Sequence, residues 1–254
     1  MDTQLPEVRN AWFGDFGGSC VLAWQCALRL PRLRQRAHRE RLLQLMLEIW
    51  RAGGVDASLR ALALGTLASA ALFQMLASNT EAAVRVLAVS LLRELGPFLA
   101  ALLLLLRTGT SQAATLAGIA GGNEARSLRL LGLGLRSYLA LPVLVACVLM
   151  AMLLTAYFEV MAVSGGLLLS GWLFDLPLRE MFHHFAGQLT LADLVYLGAK
   201  SALSGLVVGT VAAYQGLAQR EPAQAAAQAA LQGLFALVAL HGLLAWLAYR
   251  NVEG

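Results

Sequence analysis

Residues 83–106 read AVRVLAVSLLRELGPFLAALLLLL, and this apolar run decides the class of fold. It is longer than the about 20 residues that an α-helix needs to cross a bilayer core. Arg93 and Glu94 lie near its middle, and Pro97 follows. Each charge would cost about 2.5–3.5 kcal/mol to insert near the bilayer centre, and the proline removes a helical hydrogen bond. All three residues therefore need partners or a function.

The composition of the whole chain supports a membrane protein. Of the 254 residues, 59% are hydrophobic and 13% are charged, whereas soluble domains usually carry about a quarter charged residues. We predict an all-α polytopic membrane protein, since helices satisfy their own backbone groups in lipid. The first 30 residues have no basic head, apolar core and small-residue cleavage site, so no cleavable signal peptide is expected.

Five apolar segments are predicted to span the membrane, and together they form a transmembrane domain over 56–250. They cover residues 56–77, 83–106, 139–163, 191–217 and 227–249. Residues 1–55 are predicted to form a cytoplasmic and interfacial segment. Its apolar residues at helical spacing predict an amphipathic helix in the headgroup plane; they are Leu42, Leu45, Met46, Ile49 and Trp50. Because this basic segment leads directly into the spans, a DNA-binding role is not favoured.

The distribution of basic residues predicts the orientation. With the N-terminus in the cytoplasm, residues 1–55, the loop at 107–137 and the loop at 218–226 place thirteen basic residues inside. The opposite side holds two, Arg179 and Arg250. This asymmetry follows the positive-inside rule. After five spans the C-terminus is expected outside, in the periplasm.

The extramembrane segments are short. An outer segment covers about 164–188. In the cytoplasmic loop, about 117–136 is predicted to form a short amphipathic coupling helix. Glu124, Arg126 and Arg129 lie on its polar side, and the apolar side is formed by leucines 128, 130, 131 and 133, of which Leu131 is a candidate contact residue. Because no soluble domain is expected, any catalytic domain must belong to another chain.

The motifs of soluble enzymes are missing from the sequence. Lys200-Ser201 is preceded by no glycine at the spacing of a Walker A phosphate loop. The adjacent His183 and His184 cannot face one metal from the same side of a helix. The three cysteines form no C-x-x-C motif, so neither a zinc site nor a disulfide framework is expected. We predict no metal site and no cofactor on this chain.

Arg93 and Glu94 are about 100° apart on a helix and cannot pair well with each other. Lys200, about ten residues into the fourth span, is the candidate partner from another helix. Two interpretations follow. The charges either lock two helices together, or they line a cavity that accepts a zwitterionic or anionic headgroup. The loosened helix at Pro97 suits a cavity wall or a hinge.

A pair of small residues in the fourth span bears on helix packing. Gly205 and Gly209 are spaced four residues apart, a pattern that allows two membrane helices to approach closely. The alternative is coincidence in a glycine-rich span.

These residues together resemble the core of the MlaE-type permeases, which are membrane subunits of ABC transporters that work with MCE-domain lipid-shuttling proteins. The resemblance covers about 85–217. Arg93-Glu94-Leu95 with Pro97 is similar to the family's R-E-L-x-P, and Lys200-Ser201 to a Lys-Ser in the fourth span. Further matches are Arg107 with Gly109, the LLT at 153–155, the glycine pair at 165–166, and Gly171.

The sequence departs from the family pattern in the region that would contact an ATPase. Thr115 replaces the glutamate of A-A-E-L-G, and residues 122–125 read GNEA where the family has an acidic segment. The start of the fifth span, QREPAQAAAQAALQG, also differs. These differences indicate a divergent branch or one half of a heterodimer.

The resemblance implies an indirect mechanism. Two permease chains, as a homodimer or a heterodimer, would enclose a phospholipid cavity in the bacterial inner membrane. ABC ATPase subunits holding ATP and Mg would dock near 117–136, and an MCE-domain protein would carry lipid across the periplasm. A small STAS-like cytoplasmic subunit is a further partner of such systems, which serve outer-membrane lipid asymmetry. Nucleic acid is not among the expected partners.

Two other functions remain open from the sequence. A structural or channel-like subunit would work without ATP coupling, and co-purification with an ATPase would separate it from a permease. An intramembrane lipid-modifying enzyme would need convergent acids, but those of the spans are Glu94, Glu159 near an end, and Asp56 and Asp193 at ends.

Overall fold

The computed structural model describes residues 12–28, 40, 42–49, 51, 59–60, 63, 66–67, 93–130, 136–174, 179, 182–183, 187, 190–219 and 221–250. These residues form helices, and no β-strand occurs among them. Within this part of the chain, four helices are long and apolar enough to cross a membrane: Arg93–Gly121, Tyr138–Leu169, Leu191–Ala218 and Pro222–Ala248. The described residues therefore confirm a helical protein with four candidate membrane spans. The first predicted span, 56–77, lies mostly outside the described residues.

The helices are named here in chain order. They are α1 (Trp12–Ala27), α2 (Gly96–Leu104), α3 (Thr110–Gly121), α4 (Asn123–Leu130), α5 (Leu141–Phe174), α6 (Leu191–Ala218) and α7 (Pro222–Arg250). Two π-helical segments, Leu105–Gly109 and Arg136–Ala140, join α2 to α3 and lead into α5.

The second predicted span ends later than the sequence indicated. It was expected to end near residue 106, but α2 continues through the π-helical segment into α3, as far as Gly121. The small and hydroxylated residues of α3 resemble a loop in composition. Ala113 and Ala117 instead pack against α6 and α7, while the hydroxyl groups of Thr110 and Thr115 donate to carbonyls of their own helix. Residues 107–121 are thus part of a candidate span.

The other spans agree more closely. α6 matches the predicted 191–217 within one residue. α5 extends beyond residue 163 into the predicted outer segment and ends at Phe174. α7 begins at Pro222 rather than at residue 227, because a proline fits the first turn of a helix, where no N–H partner is required.

The N-terminal part is described only in pieces. Residues 42–49 are helical, with Leu45 and Ile49 buried and Leu43 and Leu47 exposed. The interfacial position of this segment stays a prediction. Upstream, α1 packs on α6 at Gly18, where an added Cβ would lie 2.4 Å from the ring of Tyr214.

α6 lies at the centre of the bundle and packs closely on α5. A Cβ added at Gly205 would lie 2.6 Å from the carbonyl oxygen of Cys147, and one at Gly209 would lie 2.9 Å from Cα of Leu144. Real Cβ atoms do not approach so closely, so both glycines allow the helix backbones to touch. This contact fixes α6, and with it the polar residues that α6 carries.

Candidate functional site

Four charged residues from two helices form the candidate site, which we call the charged cluster. Arg93 and Glu94 lie in the π-helical turn that precedes α2, and Asp193 and Lys200 lie on α6. Asp193 and Lys200 are seven residues apart, and therefore face the same side of α6 about two turns apart. This turn lies against that face, so Arg93 and Glu94 each meet an opposite charge on α6.

Asp193 uses both of its carboxylate oxygens. One oxygen accepts the backbone N–H of Thr190 at 3.1 Å, and the Thr190 hydroxyl accepts the backbone N–H of Asp193 at 3.3 Å. This reciprocal arrangement is a capping box, which begins the helix here. The other oxygen accepts Nε of Arg93 at 2.8 Å and also its Nη2. A residue that starts α6 therefore also holds the guanidinium of Arg93.

Lys200 makes two hydrogen bonds to the start of α2. Its Nζ donates to Oε2 of Glu94 at 2.7 Å and to the carbonyl oxygen of Arg93 at 2.7 Å. That carbonyl is four residues before Pro97, which has no N–H to offer it. The ammonium therefore replaces the helical donor that the proline lacks, and Glu94 balances its charge. Nζ also lies 5.4 Å from the ring centroid of Tyr196, within the range of a cation–π contact.

The four side chains of the charged cluster differ in exposure, and their formal charges cancel. The side chain of Lys200 is fully buried, Asp193 is 13% exposed, Glu94 is 28% exposed and Arg93 is 43% exposed. Two cations and two anions sum to zero formal charge. Because buried ions are tolerated when they are paired, the cluster is stable as it stands. Its accessible groups, Arg93 and Glu94, carry opposite charges.

A neutral polar contact lies one turn further along both helices. Ser204 follows Lys200 by four residues, and its Oγ lies 3.0 Å from Nε2 of His241 on α7. Phe98 follows Glu94 by four residues, and its ring meets the His241 ring edge to face with centroids 5.2 Å apart. His241 is buried, and its Nδ1 has no hydrogen-bond partner among the described residues.

Comparison with known proteins identifies the family of the chain. The family model described as Permease MlaE matches residues 54–247, which include the whole charged cluster and His241. The chain belongs to the MlaE permease family. A curated relative from Synechocystis sp., described as a probable ABC transporter permease protein, is 26% identical over 170 residues. That match covers 65% of each chain, so this MlaE-family chain matches about two thirds of the length of the curated relative.

The structure brings together one of the predicted groups of residues in this MlaE-family chain. Arg93, Glu94, Pro97 and Lys200 meet at one place, and Lys200 is the partner of Glu94. The depth of Arg93 near the bilayer centre stays a prediction. Its partner Asp193 belongs to the first turn of α6.

The second predicted group lies on α4. Glu124 and Arg126 are exposed there, and no described contact joins them to the charged cluster. Leu130 was expected on the apolar side but is 82% exposed, whereas Ala125 is buried and Leu128 packs against the core. The helix therefore faces the bundle through Ala125 and Leu128. The backbone of Arg129 belongs to α4, while the structure of Leu131 lies outside the described residues.

The sequence analysis missed several polar groups of the site. Asp193 was assigned to a helix end, although the T-x-x-D pattern at 190–193 is a readable capping signal. Ser204 and His241 gave no sequence signal, because their contact joins positions 37 residues apart. Glu159 was placed near the end of a span but lies within Tyr138–Leu169. Its side chain is buried, and neither carboxylate oxygen has a partner among the described residues.

The described residues contain no group of three side chains that could hold a metal ion. Cys26 and Cys147 are buried and Cys20 is exposed, and no disulfide joins these three cysteines. The chemistry available in the charged cluster is thus ionic binding and hydrogen bonding by Arg93, Glu94 and their partners.

Proposed function

We propose that this chain is the membrane permease subunit of an ABC-type phospholipid transporter. In this proposal it moves lipid between the bacterial inner membrane and a periplasmic MCE-domain carrier. The observation that carries the proposal is the charged cluster, a charge-balanced and half-open polar site inside a bundle of apolar helices. Membership of the MlaE permease family and the name of the Synechocystis relative support the transporter class.

The charges of the cluster favour a zwitterionic headgroup. Arg93 or Lys200 offers a donor for a phosphate, and Glu94 offers an acceptor for an ammonium group. Since the cluster is already neutral, a zwitterion exchanges partners without leaving a net charge in the membrane. A strongly anionic ligand would add charge that the cluster does not balance.

The remaining components would be supplied by other chains. ABC ATPase subunits would bind ATP and Mg, while this chain itself binds no cofactor. A second permease copy, identical or related, would complete the cavity, and a STAS-like subunit would bind on the cytoplasmic side. With the N-terminus in the cytoplasm and the C-terminus in the periplasm, the cluster lies toward the periplasmic end of α6. A site at that end suits lipid exchange with a periplasmic carrier.

A double-mutant cycle separates a lipid site from a helix lock. Glu94→Ala leaves Lys200 buried without its counterion, a change that costs about 3–5 kcal/mol for a buried pair. Lys200→Ala leaves Glu94 and the Arg93 carbonyl without their donor. The double variant removes both charges, so we expect it to recover part of the yield of folded protein in detergent. Phospholipid bound to the purified chain should not recover.

The outcomes distinguish the two interpretations directly. Recovery of both yield and bound phospholipid in the double variant would favour the lock and contradict the lipid site. Strictly additive losses in yield would show that Glu94 and Lys200 do not stabilise each other. Ser201→Ala is the matched control, because among the described residues that hydroxyl bonds only to carbonyls of its own helix, at 2.7 and 3.1 Å.

The ATPase contact has its own test on α4. We expect the paired reversal Arg126→Glu and Arg129→Glu to release the ATPase while the permease remains folded, since docking surfaces depend on charge complementarity. The measurement is the amount of ATPase that co-purifies with the tagged permease. Arg250→Glu, at the exposed end of α7, is a single charge-reversal control on the opposite side. Unchanged ATPase recovery in the α4 variant would place the contact elsewhere.

A further inference from the structure

His241 is a buried polar residue that the charged cluster does not use. It lies one helical turn beyond the ion pair of Glu94 and Lys200, held between Ser204 of α6 and Phe98 of α2. The whole residue is 7% exposed. One ring nitrogen contacts Ser204, and the other, Nδ1, has no hydrogen-bond partner among the described residues. Buried polar atoms without partners are rare, and each one needs an explanation.

The hydrogen bonds of Ser204 favour one position for the ring proton of His241. A serine hydroxyl has one hydrogen, and Ser204 donates it to the carbonyl oxygen of Lys200 at 2.8 Å. The arrangement that makes both contacts hydrogen bonds has Nε2–H of His241 donating to Oγ at 3.0 Å. In a neutral imidazole the second nitrogen is a bare acceptor. Nδ1 therefore presents a lone pair that has no partner among the residues the structure describes.

We propose that Nδ1 of His241 accepts a hydrogen bond from the headgroup of the transported lipid, and that it selects headgroups carrying an N–H or O–H donor. This inference rests on the proposed function, because it names the specificity of the same site. Nδ1 is buried in this conformation, so the proposal requires the helices around it to separate when lipid binds. A quaternary ammonium group has no donor and leaves Nδ1 unpaired.

A series of N-methylated lipids tests the donor without changing the protein. Phosphatidylethanolamine and its mono-, di- and trimethylated forms all stay zwitterionic, and only the last form has no N–H. The full chain in detergent is loaded with spin-labelled phosphatidylethanolamine, and each unlabelled lipid is added as a competitor. We expect the first three to compete alike and phosphatidylcholine to be weaker by on the order of tenfold, the effect of one hydrogen bond.

A variant that keeps the structural contact separates binding from packing. In His241→Gln the amide nitrogen takes the position of Nε2 and still donates to Ser204, but no acceptor remains at the position of Nδ1. We expect this variant to fold with normal yield and to bind all four lipids as weakly as wild type binds phosphatidylcholine. If the variant does not fold, the methylation series in wild type still tests whether a headgroup donor is required.

Each result supports or contradicts the inference. A sharp drop in competition at the last methyl group supports the inference, provided that the drop is absent in His241→Gln. A gradual decline with each methyl group would indicate steric size instead, and a step that persists in His241→Gln would place the acceptor elsewhere; either overturns it. Equal competition by all four lipids overturns the inference and leaves the proposed function standing. If wild type takes up no labelled phospholipid, the proposed function fails first.

Discussion

The two ends of α6 hold their buried polar groups in different ways. Near its start, the charged cluster joins α6 to α2 through four formal charges, and Arg93 is 43% exposed. Near its end, Nε2 of Gln215 donates to Oε1 of Gln232 at 2.6 Å, and Nε2 of Gln232 contacts Oγ of Ser19 at 3.5 Å. This second set, which we call the amide network, joins α6 to α7 and α1. It carries no charge, and all three residues are buried.

This difference indicates that the two sets of polar residues have different functions. A neutral hydrogen-bonded network satisfies its own groups and fixes the positions of three helices at modest cost. A set of ion pairs in a membrane is more expensive to bury, and it keeps groups that can exchange partners with a charged ligand. We therefore expect the amide network to affect folding alone, and the charged cluster to affect both folding and lipid binding.

The largest effect is expected when the charged cluster loses its buried cation. Lys200→Met leaves Glu94 without its counterion and the carbonyl of Arg93 without a donor, so we expect a loss of about 3–5 kcal/mol in unfolding free energy. Denaturant unfolding in detergent micelles measures it, with Ser201→Ala as the neighbouring control. A loss no larger than that of the control would show that the ion pair contributes little to stability.

The amide network should give a smaller effect with no change in binding. Gln215→Leu leaves Gln232 buried with a missing partner, at a cost of about 1–3 kcal/mol. Adding Gln232→Leu removes the second amide of the pair and should restore part of the loss. Bound phospholipid should match wild type in both variants. If the single variant loses lipid while its unfolding free energy is unchanged, the division between the two ends of α6 is wrong.

The smallest effect is expected at the exposed edge of the charged cluster. Asp193→Asn keeps a good helix cap but removes the charge that faces Arg93, so we expect a loss of up to about 1 kcal/mol, as for other partly exposed ion pairs. The salt dependence of the unfolding free energy should weaken at the same time. Asp193→Ala removes the cap as well and should cost more. Equal losses in the two variants would assign the whole effect to the cap.

The sequence was most informative where a feature is local. Spans of apolar residues follow from the hydrocarbon thickness, which is why α6 was predicted almost to the residue. α3 was missed because its average hydropathy is low. Its alanines Ala113 and Ala117 are nevertheless small enough to pack within the bundle. Lys200 could be found as a partner because it is the only lysine of the chain and lies inside an apolar segment.

By itself, the sequence determined that the chain is a helical membrane protein with charges that need partners. The physical reason is that the cost of moving apolar or charged groups between water and lipid depends on composition over one helix length. Only the tertiary structure decided which groups meet. It paired Arg93 with Asp193, the carbonyl left free by Pro97 with Lys200, and Ser204 with His241. These pairings depend on the angles and distances between packed helices, which the close contact at Gly205 and Gly209 sets.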